Sequence, residues 1–331
     1  MPFLLLILGL AMIVKSADVL IDSSSKIARR YGVPSFIIGI TVIAFGTSAP
    51  ELVVGIMSGI NHTNQLSLGN IIGSSLSNIA LIVGIAAVVM PLHVRDTVIK
   101  REIPMLLGVE VVLTAMLFID GELSRLDGFL LLLGFAAFMI YVIRDAKNSK
   151  NMNLAAQGVT DADGTGNELP QGAEIQQKQE SMAKLSGFSL LSLLCLFIGG
   201  KLTVDSSTQI AQYFGLSETL IGLTVVALAT TMPELITSIV AAIKKEPEII
   251  LGNCIGSNLF NILLVLGISS CISPIAVESR LWIDVAAMLA LTIFLLAVLL
   301  IRKKLQRKTG IFLVISYIAY ILFKVVNALV A

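Results

Sequence analysis

The stretch Gly46-Thr-Ser-Ala-Pro-Glu51 returns later in the chain as Ala229-Thr-Thr-Met-Pro-Glu234. At the offset of 183 residues that separates them, residues 39–85 align with residues 222–268 without a gap. Identical residues occupy 22 of the 47 aligned positions. An ungapped match of this length predicts two copies of one structural unit, and such a repeat decides the architecture.

The composition places both copies in a membrane. Of the 331 residues, 56% are apolar and only 14% are charged, and the mean hydropathy is +0.92. A soluble domain carries roughly 25% charged residues, so a soluble fold of this size would have too few charges to cover its surface. Several apolar runs reach the roughly 20 residues that span a bilayer. The sequence therefore predicts an all-α polytopic membrane protein. It excludes a secreted enzyme, a nucleic-acid-binding domain and a disulfide scaffold.

Ten transmembrane helices are expected, five in each half of the chain. They cover residues 3–25, 34–60, 67–91, 102–119, 126–146, 185–210, 216–243, 248–273, 281–301 and 309–329. Residues 1–146 then form the first five-span repeat, 147–184 a polar linker, and 185–331 the second repeat. Because five is odd, the second copy enters the membrane from the opposite side. This predicts inverted repeats, an architecture typical of secondary transporters.

The basic residues predict the orientation. Of the 23 Lys and Arg residues, 18 fall in loops on one side, whereas only Arg125 and Arg280 fall in loops on the other. Cytoplasmic loops carry the excess of Lys and Arg. We therefore expect a multi-pass protein of the cell (inner) membrane, with the linker 147–184 in the cytoplasm and both termini outside.

The repeated acids, Glu51 and Glu234, lie inside predicted spans 2 and 7. An ionised carboxylate at mid-bilayer costs at least roughly 2.5–3.5 kcal/mol, and neither repeat offers a Lys or Arg beside its Glu. A cation that passes through would be the simplest partner. A protonated, hydrogen-bonded acid that holds helices together is the alternative.

Pro50 and Pro233 precede the two acids and predict that helices 2 and 7 are broken at the core, because proline lacks an N–H and clashes with the preceding turn. The freed carbonyls would become oxygen ligands lining a cavity, and a plain proline kink is the alternative.

Further oxygen ligands would come from side chains: Thr47, Ser48, Thr230 and Thr231, and the i,i+4 pairs Ser74/Asn78 and Ser257/Asn261. The alternative role for these pairs is helix–helix hydrogen bonding. Carboxylates and neutral oxygens without His or Cys favour hard cations such as Ca²⁺.

Both copies resemble the α-repeats of the sodium/calcium exchanger family, within the calcium/cation antiporter superfamily. The first resemblance rests on residues 46–51 with Gly69-Asn-Ile-Ile-Gly-Ser-Ser-Leu-Ser-Asn78. The second rests on residues 229–234 with Gly252-Asn-Cys-Ile-Gly-Ser-Asn-Leu-Phe-Asn261. The short linker is similar to that of prokaryotic members.

The resemblance implies a membrane transporter and not an enzyme. It would exchange Na⁺ for Ca²⁺ by alternating access at a midplane site, with spans 1 and 6 sliding past the core. Ca²⁺ and Na⁺ are then the transported partners within the lipid bilayer, with no cofactor, no nucleic acid and no protein partner inferred. The resemblance implies that Glu51, Glu234, Thr47 and Thr230 serve both ions. It assigns the flanking Na⁺ sites to Ala44, Ser48 and Ser74 and to Ala227, Thr231 and Ser257, with Asn78 and Asn261 at the centre.

The chain departs from the family pattern in three places. Ala229 replaces a glycine, Thr231 replaces a serine, and Asn261 stands where potassium-dependent members carry Asp. The neutral Asn261 argues against potassium co-transport. Proton-coupled antiport of Ca²⁺ or another divalent cation stays open, because two acids at mid-membrane can also carry protons. A cation channel is the alternative from a different class.

Overall fold

The computed structural model describes residues 1–61, 64–160, 181–214, 227–279 and 281–330. These ranges are almost entirely helical. The helices are α1 Pro2–Tyr31, α2 Ser35–Thr47, α3 Ala49–Ile60, α4 64–89, α5 Val98–Asp120, α6 Arg125–Thr160, α7 Met182–Tyr213, α8 Ala227–Thr230, α9 Met232–Ile243, α10 Pro247–Ile272, α11 Leu281–Arg302 and α12 Arg307–Val330.

The helices form a multi-pass membrane bundle. Within the described ranges, eight are long and apolar enough to cross a bilayer, and α2 with α3 makes a ninth span if the bent pair is counted as one. The start of predicted span 7 falls on residues 215–226, outside the described residues. In α4 and α10, 78% and 94% of the most apolar window is buried, against about a third or less in α1, α5, α6, α7, α11 and α12. Helices α4 and α10 therefore form the centre of the bundle.

Helix α6 continues to Thr160, so the boundary predicted at residue 147 falls inside a helix. The sequence explains this continuation, because no Gly or Pro occurs between Gly134 and Gly158 to end the helix. Residues 161–180, the middle of the predicted linker, lie outside the described residues.

Within the described residues, four stretches of the helices have π-helical geometry, which occurs often at functional sites. They are Gly39–Ile43 in α2, Ser77–Ile82 in α4, Val98–Glu102 in α5 and Asn261–Leu266 in α10. The segments in α4 and α10 begin at or beside the two central asparagines, Asn78 and Asn261. The apolar pattern of the sequence did not predict these local changes of helical winding.

Helices α1 and α7 make the largest helix–helix contact in the described part of the molecule. They approach closely at two glycines. A Cβ on Gly9 would lie 2.7 Å from Thr203 Oγ1 and 2.9 Å from the Gly199 carbonyl oxygen. Small residues allow such close backbone approach between membrane helices, so α1 and α7 form one closely packed pair.

Two short antiparallel β-ladders connect the first half of the chain to the second. Strand β1 (Leu92–His93) pairs with β4 (Lys304–Leu305), with Leu92 opposite Leu305. Strand β2 (Glu122–Leu123) pairs with β3 (Ile275–Ala276), with Leu123 opposite Ile275. The repeat offset of 183 residues relates β1 to β3, and an offset of 182 residues relates β2 to β4. Each ladder therefore joins a loop of the first half to a loop of the second.

Candidate functional site

Two helix breaks define the site. Helices α2 and α3 meet at an angle of 47°, and Ser48 between them leaves helical geometry at φ −80° and ψ 4°. Thr231 likewise separates α8 from α9. Pro50 and Pro233 lie in the first turn of α3 and α9, where the missing N–H removes no helical hydrogen bond. The structure therefore breaks both helices two residues before the prolines, as the prolines predicted.

Each break places an acid at the start of the following helix. Glu51 lies in the first turn of α3 and Glu234 in the first turn of α9, and both side chains are 0% exposed. Unpaired N–H groups give this end of a helix a partial positive charge, which favours carboxylates. The prolines that precede the two acids lie on either side of Gly200 in α7, since a Cβ on this glycine would be 3.4 Å from Cγ of each proline. The two acids therefore form one buried acidic centre.

The four carboxylate oxygens of this centre have no hydrogen-bond partner among the residues that the structure describes. Thr230 lies beside Glu51 and Thr47 lies beside Glu234, so each acid faces the threonine of the other half. An unpaired buried charge costs several kcal/mol after relaxation. A cation between the oxygens would remove this cost.

Two asparagines hold the threonines at the breaks. Thr47 Oγ1 donates to Asn253 Oδ1 at 3.1 Å, and Thr230 Oγ1 donates to Asn70 Oδ1 at 3.4 Å. The repeat offset relates one pair to the other, and each pair joins the two halves. Sequence reasoning gave Asn70 and Asn253 no role, although both follow the matching glycines and are identical in the alignment.

The central asparagines add two more unpaired oxygens. Asn261 Nδ2 donates to Ser74 Oγ at 3.3 Å, and Asn78 Nδ2 donates to Asn258 Oδ1 at 2.8 Å. The Oδ1 atoms of Asn78 and Asn261 are buried and accept no hydrogen bond in the described part of the chain. The predicted i,i+4 Ser/Asn pairs therefore make their hydrogen bonds across the two halves, not within one helix.

The remaining predicted ligands with described side chains are buried but only partly brought together. Ser257 Oγ lies 3.3 Å from Thr47 Oγ1. The Ala44 carbonyl accepts from the Ser48 N–H at 2.9 Å, while Ser48 Oγ is unpaired within the described ranges. Thr231 is buried at its break. The backbone of Ala227 begins α8, and its side chain lies outside the described set.

Helix α7 passes over both breaks. A Cβ on Gly200 would lie 3.4 Å from Cγ of Pro50 and 3.4 Å from Cγ of Pro233. A Cβ on Gly46 would collide with Leu193 Cδ2. Helix α7, which is closely packed against α1, thus contacts both broken helices at the prolines that precede the two acids.

The donor set consists of oxygen atoms. The described residues contain no group of three or more His, Cys, Asp or Glu side chains placed to hold a metal ion. Two carboxylates with hydroxyl, amide and carbonyl oxygens suit hard cations, and Ca²⁺ takes 6–8 oxygens in flexible geometry. The fold therefore defines a polytopic membrane protein, and the buried oxygen atoms between its two broken helices are of the type that suits a hard cation.

Comparison with known proteins gives the family. The model described as "Sodium/calcium exchanger protein" matches residues 1–144 and 184–326. The chain is 34% identical to the inner membrane protein YrbG of Escherichia coli (strain K12) over 322 residues, which cover 96% of this chain and 94% of that protein. It is 33% identical to the sodium/calcium exchanger MaX1 of Methanosarcina acetivorans over 353 residues, covering 96% and 97%.

A solved structure shares the fold. The sodium-calcium exchanger NCX_Mj, soaked with Na⁺ and Sr²⁺, superposes with a TM-score of 0.79 at 27% identity, covering 97% of this chain and 99% of that one. The chain belongs to the sodium/calcium exchanger family of membrane antiporters. The expected family is thereby confirmed.

Proposed function

We propose that this protein exchanges Na⁺ for Ca²⁺ across the membrane, using Glu51 and Glu234 as a site that both ions share. The observation that carries the proposal is the set of four buried carboxylate oxygens without a hydrogen-bond partner in the described residues. Two such carboxylates carry a charge of −2, which one Ca²⁺ or two Na⁺ would neutralise. Because both ions would use the same oxygens, occupation by one would exclude the other.

The neutral oxygens around the acids extend the site. Thr47 and Thr230 would contribute backbone carbonyls to the shared centre, and Asn78 and Asn261 would border it. The flanking Na⁺ sites would consist of Ala44, Ser48 and Ser74 on one side and Ala227, Thr231 and Ser257 on the other. The unpaired Ser48 Oγ supports the first flank.

We further propose that ten helices form two inverted five-helix repeats, residues 1–146 and 185–331, joined by a cytoplasmic linker at 147–184. Symmetry-related ladders, breaks and Thr–Asn pairs support this arrangement. Both termini would be outside. Alternating access would come from α1 and α7 sliding together over the two breaks, since they are packed mainly against each other.

Two relatives in the comparisons carry the words sodium/calcium exchanger in their names, which favours Na⁺ as the coupling ion. Proton-coupled exchange of Ca²⁺ or another divalent cation is the alternative, because buried carboxyls can also carry protons. A channel is less consistent with the site, since closely spaced unpaired acids would hold a divalent cation tightly and slow its passage.

The test is uptake of radiolabelled Ca²⁺ into proteoliposomes loaded with Na⁺. The external solution contains K⁺, choline or Na⁺ in turn, and acid-loaded vesicles are run in parallel. We expect Ca²⁺ uptake to require an outward Na⁺ gradient and to be independent of external K⁺. Uptake driven by the proton gradient alone would overturn Na⁺ coupling, and uptake without any counter-ion gradient would indicate a channel.

A further inference from the structure

The two halves differ at one position beside the central asparagines. Residue 258 is Asn in the second half, whereas its counterpart in the first half is Ser75. Asn258 is 0% exposed and contacts the first half through both ends of its amide. Its Oδ1 accepts from Asn78 Nδ2 at 2.8 Å, and its Nδ2 donates to the Ser75 carbonyl at 3.4 Å.

These two hydrogen bonds impose a direction on the Asn78 side chain. A backbone carbonyl can only accept a hydrogen bond, so the Ser75 carbonyl requires the Nδ2 end of Asn258. The Oδ1 end of Asn258 must then face Asn78, and an oxygen acceptor requires the Nδ2 end of Asn78. The Asn78 Oδ1 is thereby turned away from Asn258 and is the atom left buried without a partner in the described residues.

The corresponding asparagine of the second half has no such constraint. Asn261 Nδ2 donates to Ser74 Oγ, and a hydroxyl can either accept or donate. Ser74 would therefore serve either orientation of the Asn261 amide. Only the chain from Ser75 through Asn258 to Asn78 is anchored by a group that cannot reverse its role.

We propose that Asn258 is a positioning residue that keeps the Asn78 carbonyl oxygen, and not its NH₂ group, turned toward the transported ion. This inference rests on the proposed exchange site and deepens it. An amide oxygen stabilises a cation, whereas a reversed Asn78 would present N–H donors to it. A divalent ion would be affected more than Na⁺, because its interaction with either end of the amide dipole is twice as strong at equal distance.

The first test is Asn258→Ser, which installs the residue of the first half. The Ca²⁺ concentration for half-maximal exchange should rise about tenfold, the expected scale for one buried hydrogen bond. The maximal rate at saturating Ca²⁺ should change by less than about twofold, because the acids and threonines stay in place. The half-maximal Na⁺ concentration should rise less than that of Ca²⁺.

Ser75→Ala is the matched control, because it removes the hydroxyl and leaves the carbonyl that anchors Asn258. This variant should keep the wild-type half-maximal Ca²⁺ concentration. If Asn258→Ser does not fold, Asn258→Leu provides a variant of similar shape that also removes both hydrogen bonds.

The decisive test is a double-mutant cycle with Asn78→Ala, which removes the oxygen that Asn258 is proposed to orient. If Asn258 acts through Asn78, the double variant should match Asn78→Ala alone. If the double variant instead raises the half-maximal Ca²⁺ concentration by the product of the two single-variant fold-changes, Asn258 acts independently of Asn78 and the inference is overturned.

The two proposals fail in different ways. Absence of Na⁺-driven Ca²⁺ uptake in the folded wild-type protein would overturn the proposed function. Normal wild-type exchange with an unchanged half-maximal Ca²⁺ concentration in folded Asn258→Ser would leave that function intact and overturn the role of Asn258.

Discussion

The half of the site on α2, α3 and α4 and the half on α8, α9 and α10 agree at some positions and differ at others. The acids, the threonines beside them and the asparagines that pair with those threonines are identical in both halves. The halves diverge at Gly46/Ala229 and Ser75/Asn258. Gly46 faces Leu193 of α7, and Asn258 binds Asn78. Most residues proposed to serve the ion are therefore duplicated, and Ser48/Thr231 differ but both keep a hydroxyl. The divergent residues Gly46 and Asn258 each meet a neighbour in the other half.

A second difference concerns the ends of the long helix α1. Lys244 beyond α9 pairs with Asp18 at 2.8 Å, and Arg29 pairs with Glu246 at 3.0 Å. At the repeat-related positions, Lys201 corresponds to Asp18 and the neutral Asn61 corresponds to Lys244. If the protein alternates between two access states as proposed, inverted repeats with equal contacts would give those states equal energy. Ion pairs that join α1 to the segment after α9, without a charged pair at the repeat-related Lys201 and Asn61, would then bias that equilibrium.

The largest effect is expected at the two glutamates, which are identical in both halves of the site. Glu51→Gln and Glu234→Gln should each reduce Na⁺-driven Ca²⁺ uptake by at least about 100-fold, because removing one charge from a desolvated centre costs several kcal/mol of ion binding. The two losses should be similar, since both acids occupy equivalent helix starts. Uptake is measured in proteoliposomes with equal amounts of monodisperse protein. Near-normal uptake by either folded variant would contradict the shared site.

The next prediction tests the divergent pair Gly46/Ala229. Gly46→Ala should lower stability by no more than about 1 kcal/mol, because the new methyl group requires the end of the half-buried Leu193 side chain to leave its rotamer. Elsewhere in a helix, Gly to Ala is usually stabilising, so the sign of the change is informative. Thermal unfolding in detergent measures it.

Two controls accompany Gly46→Ala. Adding Leu193→Ala should recover most of the lost stability relative to Leu193→Ala alone. Ala229→Gly, the reverse change in the other half, should produce no clash. A Gly46→Ala protein as stable as the wild type would show that α7 does not restrict this position.

The sequence alone predicted those site residues that are unusual within their own transmembrane span. Glu51, Glu234 and the prolines before them were predicted because an acid at membrane depth and a proline within a span are each costly. The recurrence of the whole motif argued against coincidence in both cases. The structure buries both acids at equivalent helix starts, and their role as ion ligands stays a prediction.

Other features depend on contacts between the halves, which the sequence pattern does not contain. Asn253 reaches Thr47 only after folding brings together residues that are 206 positions apart. Asn258 is not part of the repeat identity, so it gave no signal. The π-helical segments beside Asn78 and Asn261 reflect local hydrogen bonding, whereas hydrophobic period reports only which face is apolar.

A smaller effect is expected at the ion pairs of α1. Asp18→Asn should change the ratio of half-maximal Ca²⁺ concentrations at the two membrane faces by up to about fivefold, because a partly exposed pair contributes roughly 0.2–1 kcal/mol. The ratio is measured in right-side-out and inside-out vesicles. The double variant Asp18→Lys with Lys244→Asp, which exchanges the two charges, should return this ratio toward the wild-type value. If Asp18→Asn leaves the ratio unchanged, the ion pair does not bias the two access states.

The smallest effect is expected at the ladder of β1 and β4, which carries an ion pair that the other ladder lacks at its repeat-related positions. Lys303 Nζ lies 3.0 Å from Asp96 Oδ1. The hydrogen bond that Lys303 donates to the Asp96 carboxylate holds the pKa of Asp96 below its ordinary value. The positions equivalent to Asp96 and Lys303 at the second ladder are Ser279 and Gly121, neither of which carries a charge.

A lowered carboxyl pKa sets the direction of the pH dependence. The pair contributes stability above the ordinary pKa of aspartate, and this contribution is lost as pH falls through the lowered value. Asp96→Asn should therefore reduce the melting temperature slightly at neutral pH and not at all in acid, where wild-type Asp96 is also neutral. Because both side chains are largely exposed, 1 M salt should remove most of the difference at neutral pH. An equal difference at every pH would mean that the substituted amide alters the loop through its shape, and the asymmetry between the ladders would then not be electrostatic.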